Sequence, residues 1–213
     1  MCGALVLSLS LSACRSSGPR PEGVVVAVAD ARVDADEADP PRGRQLALLY
    51  SSNDQGEYER CGCPVHPLGG LARRAVEIDR ARADSDGVLV VDAGDLFLPV
   101  GDAVAGARPP AVSEVDRRAR LLATAYARLG VAAFSPGERD LALGSARLVR
   151  VLADAKVPVV SANLVDARGR APWPADRLLE LAGIKVGVFG VTAVSPPDDA
   201  RLRSWGFAAR DPA

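Results

Sequence analysis

The sequence predicts an α/β fold of mixed sheets flanked by helices, and three observations lead there. Short runs of branched apolar residues stop abruptly at Asp, Asn, Gly or Pro, as buried strands do. The segments between them repeat apolar residues at helical spacing. Hydrophobic residues make up 48% of the chain but aromatic residues only 4%, so the core has to be packed from Val, Leu and Ala. Alternation of the two element types is the mark of the α/β class.

The expected strands are Leu46–Tyr50, Val88–Val91, Val131–Phe134, Val159–Ala162 and Val186–Val191. A helix over Leu71–Arg82 places Leu71, Ala75 and Ile78 on one stripe. A second, over Ser113–Leu129, aligns Val115, Ala119, Leu122, Tyr126 and Leu129. A third, over Ser145–Ala155, aligns Leu148, Val151 and Leu152. Leu178–Leu181 and Lys185–Val191, joined through Ala182-Gly183-Ile184, also read as a β-hairpin with a glycine turn. No internal repeat is present.

The first 45 residues have a different character. Residues 4–13, ALVLSLSLSA, have the length of a signal-peptide core and are too short to span a bilayer. They run into Leu11-Ser12-Ala13-Cys14, which resembles a bacterial lipoprotein processing site, with Cys14 the residue to be lipidated. No Lys or Arg precedes the apolar run, a departure from that pattern. Residues 15–45 are rich in Pro, Gly, Asp and Arg and read as a flexible linker. The expectation is a signal segment over 1–14, a linker over 15–45 and a domain over 46–213. Such a protein is exported to the cell envelope, on its periplasmic face, and held to the membrane by lipid. A net charge of −1 gives no electrostatic basis for nucleic-acid binding.

In sheets of this kind chemistry gathers just past the C-terminal ends of strands. Those places hold Asn53-Asp54, Asp92 and Asp95, Glu138-Arg139-Asp140, Asn163 and Thr192. Capping and turn formation would also explain Asp54 and Asp95. A solvated loop with local ion pairs would also explain residues 138–140.

Taken in order, five pieces resemble the N-terminal part of the bacterial 5'-nucleotidase and UDP-sugar hydrolase family, a branch of the calcineurin-like metallophosphoesterases. They are Asn53-Asp54, Gly69-Gly70-Leu71-Ala72-Arg73-Arg74, Val90-Val91-Asp92-Ala93-Gly94-Asp95, Ser161-Ala162-Asn163 and Gly183 through Thr192. The resemblance covers roughly residues 46–195. It implies a metallophosphoesterase sandwich acting on a small phosphate ester or nucleotide. It also implies two divalent ions (Mn, Mg, Zn or Ca), about 3.5–4 Å apart, that polarise the phosphoryl group and generate a hydroxide nucleophile. Asp54 matches the first metal-binding acid and Asp95 the bridging carboxylate.

The departures bear on the site. Where the family has a histidine two residues after the first acid, this chain has Gly56. The family's Gly-Asn-His-Glu loop here reads Gly137-Glu138-Arg139-Asp140. Glu138 falls at the metal-binding Asn position, where a carboxylate would suit a hard cation. Arg139 falls at the catalytic His position, where a guanidinium would neutralise phosphoryl charge without transferring a proton. The chain holds one histidine, His66, and the family's further histidines lie past residue 213, so an incomplete domain is expected.

Cys61-Gly62-Cys63-Pro64-Val65-His66 is inserted between the first acid and the Gly-Gly-Leu-Ala-Arg-Arg helix. Three readings stand side by side. Cys61 and Cys63 form a small, strained and easily reduced disulfide that works with a redox partner. Or Cys61, Cys63 and His66 supply three of the four ligands of a soft metal. Or the segment is a rigid turn with inert thiols. Two functions follow: a metal-dependent phosphoesterase using Asp54, Asp95, Glu138 and Arg139, or a non-hydrolytic relative using Cys61 and Cys63. Trp173 and Trp205 are expected to be packing residues.

Overall fold

A computed structural model describes residues 43–60, 62, 69–98, 112–193 and 199–210. The signal segment with Cys14, nearly all of the linker, and Cys61, Cys63 and His66 lie outside the described residues.

The elements follow in order: β1 (Leu46–Ser51), α1 (Leu71–Asp84), β2 (Gly87–Asp92), α2 (Val112–Leu129), β3 (Ala133–Phe134), α3 (Glu138–Leu141), α4 (Ser145–Asp154), β4 (Leu164–Asp166), β5 (Asp176–Leu181), β6 (Ile184–Phe189), α5 (Asp199–Ser204) and β7 (Phe207–Ala209). Strands β1, β2 and β3 form a parallel sheet in that order, while β4–β7 and β5–β6 are antiparallel pairs. The sheets are thus mixed between one another, each being pure in itself.

Parallel pairing sets up the site. Ser51 sits opposite Asp92, and Asp92 opposite Phe134, so the three strands stop level with one another. The loops that follow therefore emerge side by side.

The helical stripes pack as their spacing predicts. Ile78 of α1, Ala119, Leu122, Ala123 and Tyr126 of α2, and Leu148, Val151 and Leu152 of α4 are buried in one core, with Leu71, Ala75 and Val115 packed against it. Trp173 stacks on Phe207 with ring centroids 6.0 Å apart, and Trp205 also packs against the core. The hairpin turn is made by Ala182 and Gly183, at φ 49° and 77°, the two left-handed residues that a type I′ turn requires.

Two expected strands differ. Val159–Ala162 is not a strand: Val159 makes a single parallel bridge to Phe134, and Pro158 brings no N–H with which to extend the ladder. Val131–Phe134 shortens to Ala133–Phe134 because the Val131 N–H turns back to Tyr126 O, closing α2 through Gly130 at φ 76°. Elements α3, β4, α5 and β7 had no counterpart in the sequence reading, since three to six residues are too few to establish a period.

Candidate functional site at the strand ends

The loops after β1 and β2 run side by side. Asn53 N donates to Gly94 O at 2.8 Å, Gln55 N to Asp95 O at 2.8 Å and Gly56 N to Leu96 O at 2.7 Å. Asp54 and Asp95 thus lie on adjacent hydrogen-bonded segments. The loop after β3 closes from the other side, and contact is tightest at Gly94 and Gly137. A Cβ on Gly94 (φ 91°) would fall on the backbone of Gly137 and Ser135, and one on Gly137 would fall on Asp95. Both glycines are required by close approach.

Asp140 fastens this approach. Its side chain is fully buried. It accepts four backbone N–H groups: Asp95 at 2.7 Å and Gly137 at 3.0 Å on Oδ2, Leu96 at 2.8 Å and Phe97 at 3.0 Å on Oδ1. Burial pushes its carboxyl up to about 7, against the pull of those N–H donors. It is no solvated loop acid but the anchor of both loops.

With its backbone so held at φ 59°, Asp95 presents its carboxylate to the Arg139 end of α3. Oδ1 accepts the Arg139 backbone N–H at 2.9 Å, and the Arg139 Nε lies 3.8 Å from Oδ2. Both side chains remain partly exposed, at 31% for Arg139 and 22% for Asp95. Glu138, one residue earlier, pairs with Arg201 of α5 at 2.9 Å.

Asp54 and Asp92 meet on the buried hydroxyl of Tyr126. Tyr126 Oη lies 2.5 Å from Asp54 Oδ2 and 2.9 Å from Asp92 Oδ2. Arg74 closes the cluster: its Nη2 lies 2.7 Å from Asp54 Oδ1 and 2.6 Å from Oδ2, and its Nη1 donates to Tyr126 Oη at 2.7 Å. Asp92 also accepts Ser51 Oγ at 2.5 Å and the Gly94 N–H at 2.8 Å, so it supports the turn as well. Burial, and to a smaller degree the neighbouring Asp54, hold the Asp92 carboxyl above its usual range. Burial and the adjacent Asp92 carboxylate hold the Tyr126 phenol far above its ordinary value.

Asn163 and Thr192 complete the strand-end set as structural residues. The Asn163 amide bonds both backbone groups of Thr192, at 2.8 and 3.0 Å, and Thr192 Oγ1 donates to Pro136 O at 2.7 Å. The described residues on either side of the Cys-Gly-Cys segment meet beside this site. Leu71 N donates to Tyr58 O at 3.1 Å, and Gly70 (φ 85°) packs on the Arg60 backbone, so the two ends of the segment converge beside Asp54. A cleft of ≈ 580 Å³ opens there, with Asn53, Asp54, Gly70 and Arg74 in its walls.

The structure therefore brings Asp54, Asp92, Asp95, Arg139 and Asp140 together at the ends of three parallel strands. Among the described residues no three His, Cys, Asp or Glu side chains converge as a metal-binding group. Asp54, Asp95 and Glu138 each face an arginine instead. The described residues do not by themselves make up a two-cation centre. Arg74 and Tyr126 went unread as site residues: Arg74 stood in the helix-opening motif and Tyr126 in a core stripe. The one signal that sets Tyr126 apart is a polar hydroxyl within an otherwise apolar stripe, which has to find a buried partner.

No family model matches the chain. A probable 5'-nucleotidase of Treponema pallidum (strain Nichols) is 31% identical over 130 residues, which is 60% of this chain and 20% of that protein. The 5'-nucleotidase precursor of Thermus thermophilus superposes with a TM-score of 0.62 at 26% identity, covering 78% of this chain and 32% of that one. The calcineurin-like phosphoesterase YfkN of Bacillus subtilis superposes at 0.56 with 20% identity, over 78% and 54% of the two chains. The chain thus spans about a fifth of the curated relative and a third of the Thermus structure. Its α/β fold is that of the calcineurin-like phosphoesterases, and its neighbours in sequence and structure are members of the 5'-nucleotidase / calcineurin-like phosphoesterase family.

Proposed function

We propose that this chain recognises a phosphate ester of the nucleotide kind at the strand-end loops, and that hydrolysis requires metal donors other than the described residues. The observation that carries this reading is the Asp95–Arg139 pair. Asp140 holds the loops after β2 and β3 together, and the group beside Asp95 is a partly exposed, permanently charged guanidinium. Such a group binds phosphoryl oxygens well and moves no proton.

Asp95 and Glu138 are the carboxylates that would hold Mn, Mg, Zn or Ca in a completed site, and Asp54 would join them only where Arg74 gives up its place. Bound ions there would supply Lewis acidity and an activated water. Asp95 would keep its oxygens aimed by the Arg139 N–H, and Arg139 would balance phosphoryl charge. The same reading places the protein outside the cytoplasm, in the cell envelope, anchored through lipid on Cys14, with residues 15–45 as tether and 46–213 as the domain. Among the described residues no helix is long and apolar enough to cross a membrane.

The test is calorimetric binding of adenosine monophosphate alongside phosphate release from nucleotides and p-nitrophenyl phosphate with added Mn²⁺ or Mg²⁺. Binding that weakens at least tenfold in Arg139→Gln, with no turnover, supports the reading. Metal-dependent turnover abolished by Asp95→Asn would sink it, as would the absence of any binding.

A second reading draws on the convergence of residues 60 and 70 beside Asp54. It gives Cys61 and Cys63 a thiol redox role, or with His66 a soft-metal role. Thiol titration of the denatured protein should then change by two on mild reduction. A Cys61→Ser variant with unaltered redox and metal properties would exclude it.

A further inference from the structure

We propose that Arg74 is the resident cation of Asp54: its guanidinium neutralises that carboxylate and keeps divalent metal ions off it. The proposal deepens the reading above, on which it rests for the identity of the centre.

Both oxygens of Asp54 are engaged. Arg74 Nη2 lies within 2.7 Å of each, and Tyr126 Oη adds a contact of 2.5 Å to Oδ2. A hard divalent ion needs ionised oxygens whose lone pairs are open to it, and here they point at N–H and O–H groups. Side chains 24% and 18% exposed are also partly sheltered from the solvent that weakens surface pairs.

Arg74 is not a mobile surface counterion. It opens the first turns of α1, where Gly70 at φ 85° fixes the helix start against Arg60. Its Nη1 is hydrogen-bonded to Tyr126, and its guanidinium carbon lies 5.4 Å from the centre of the Tyr126 ring. Tyr126 in turn is fully buried and packs edge-on against Phe134, with centroids 6.2 Å apart. The cation is therefore held by the core. Burial on its own would lower the affinity of Arg74 for its proton; Tyr126 and Asp54 outweigh it and hold the group more firmly charged than usual.

Charge counting gives the consequence. With Asp92 ionised, Asp54, Asp92 and Arg74 carry a net charge of −1; without Arg74 the same pocket carries −2 around a single phenol hydroxyl. A carboxylate pair with one member buried and the other half-buried, left unbalanced, either takes up protons or takes up a cation. Removing the guanidinium should therefore expose a divalent-metal site that the wild-type chain does not offer.

The experiment is Mn²⁺ binding to the full chain, read by electron paramagnetic resonance and calorimetry. Wild type and Asp54→Asn are expected to bind Mn²⁺ equally, because Asp54 contributes nothing while Arg74 is present. Arg74→Met is expected to gain a site at least tenfold tighter than any in wild type, lost again in Arg74→Met with Asp54→Asn. Arg74→Lys keeps the charge and should gain none. Mn²⁺ uptake by wild type that disappears in Asp54→Asn overturns the proposal, as does a folded Arg74→Met with no new site. The comparison of wild type with Asp54→Asn decides the matter even where the Arg74 variants do not fold. Adenosine monophosphate binding through Arg139 is measured independently, so failure of either proposal is seen apart from the other.

Discussion

The buried carboxylate of Asp140 holds the backbone N–H of Asp95 at 2.7 Å across 45 residues of chain. With the Leu96, Phe97 and Gly137 N–H groups on the same carboxylate, this one side chain joins the loop after β2 to the loop after β3. An Asn at this position offers one acceptor and one donor, so two of the four N–H groups would face an NH₂. Asp140→Asn is expected to lower stability by about 2–6 kcal/mol, at roughly 1–3 kcal/mol for each of the two stranded donors. Urea unfolding checks it; a loss below about 1 kcal/mol would mean the loops are held by other contacts.

The same carboxyl gives a pH dependence. Its folded value is raised to about 7 by burial, above the unfolded value of 3.8. Between these two the native state binds more protons than the unfolded chain, so stability is greatest below the unfolded value and falls as pH rises through about 7. Asp92, also raised by burial, adds the same sign. Unfolding free energy followed from pH 4 to pH 8 should decline, and the decline should shrink in Asp140→Asn. A flat profile in wild type would show the four N–H bonds outweighing burial.

Gly94 is expected to tolerate no side chain. At φ 91° an alanine is strained, and its Cβ would collide with the Gly137 backbone, which cannot swing aside as a flexible side chain does. Gly94→Ala should cost more than about 2 kcal/mol and disturb the Asp95–Arg139 pair. Thermal unfolding together with amide hydrogen exchange at residues 95–97 measures both effects.

Tyr126→Phe removes the hydroxyl common to Asp54, Asp92 and Arg74 while leaving the ring in the core. A loss of about 1–3 kcal/mol is expected, because carboxylate oxygens are left short of a donor. Chemical unfolding at pH 7 is the measurement, and a neutral result would place the strength of the cluster in the Arg74–Asp54 pair alone.

Ala182 sits in the hairpin turn at φ 49°, where a non-glycine residue costs roughly 1–2 kcal/mol. Ala182→Asn, which restores the Asn-Gly pair favoured in type I′ turns, should stabilise the protein by about 0.5–1 kcal/mol. A small rise in melting temperature would show it.

Periodicity and punctuation were enough to read the α/β class, the three long helices with their buried stripes, the β1 and β2 strands, and the late hairpin with a glycine in its turn; that Ile184 belongs to the strand and not the turn came from the structure. These signals are local: a helical stripe or an apolar run declares its buried face within a dozen residues. The placing of Asp54 and Asp95 on neighbouring loops was legible too, because parallel strands that end level deliver their following residues to one edge.

The partners of those acids were decided by tertiary structure alone. Arg74 lies 20 residues from Asp54 in sequence, Tyr126 lies 72 away, and Asp140 lies 45 from Asp95. No local pattern distinguishes an arginine on the solvent side of α1 from one turned toward a buried phenol, or a loop aspartate in water from one closed over four N–H groups. A carboxylate's role depends on which charges and donors surround it, and that follows from where α1, α2 and α3 carry Arg74, Tyr126 and Asp140 relative to the strand-end loops. Sequence by itself placed acids at the strand ends; folding determined that Asp54 meets a guanidinium, that Asp95 meets the start of a four-residue helix, and that Asp140 binds the two loops together.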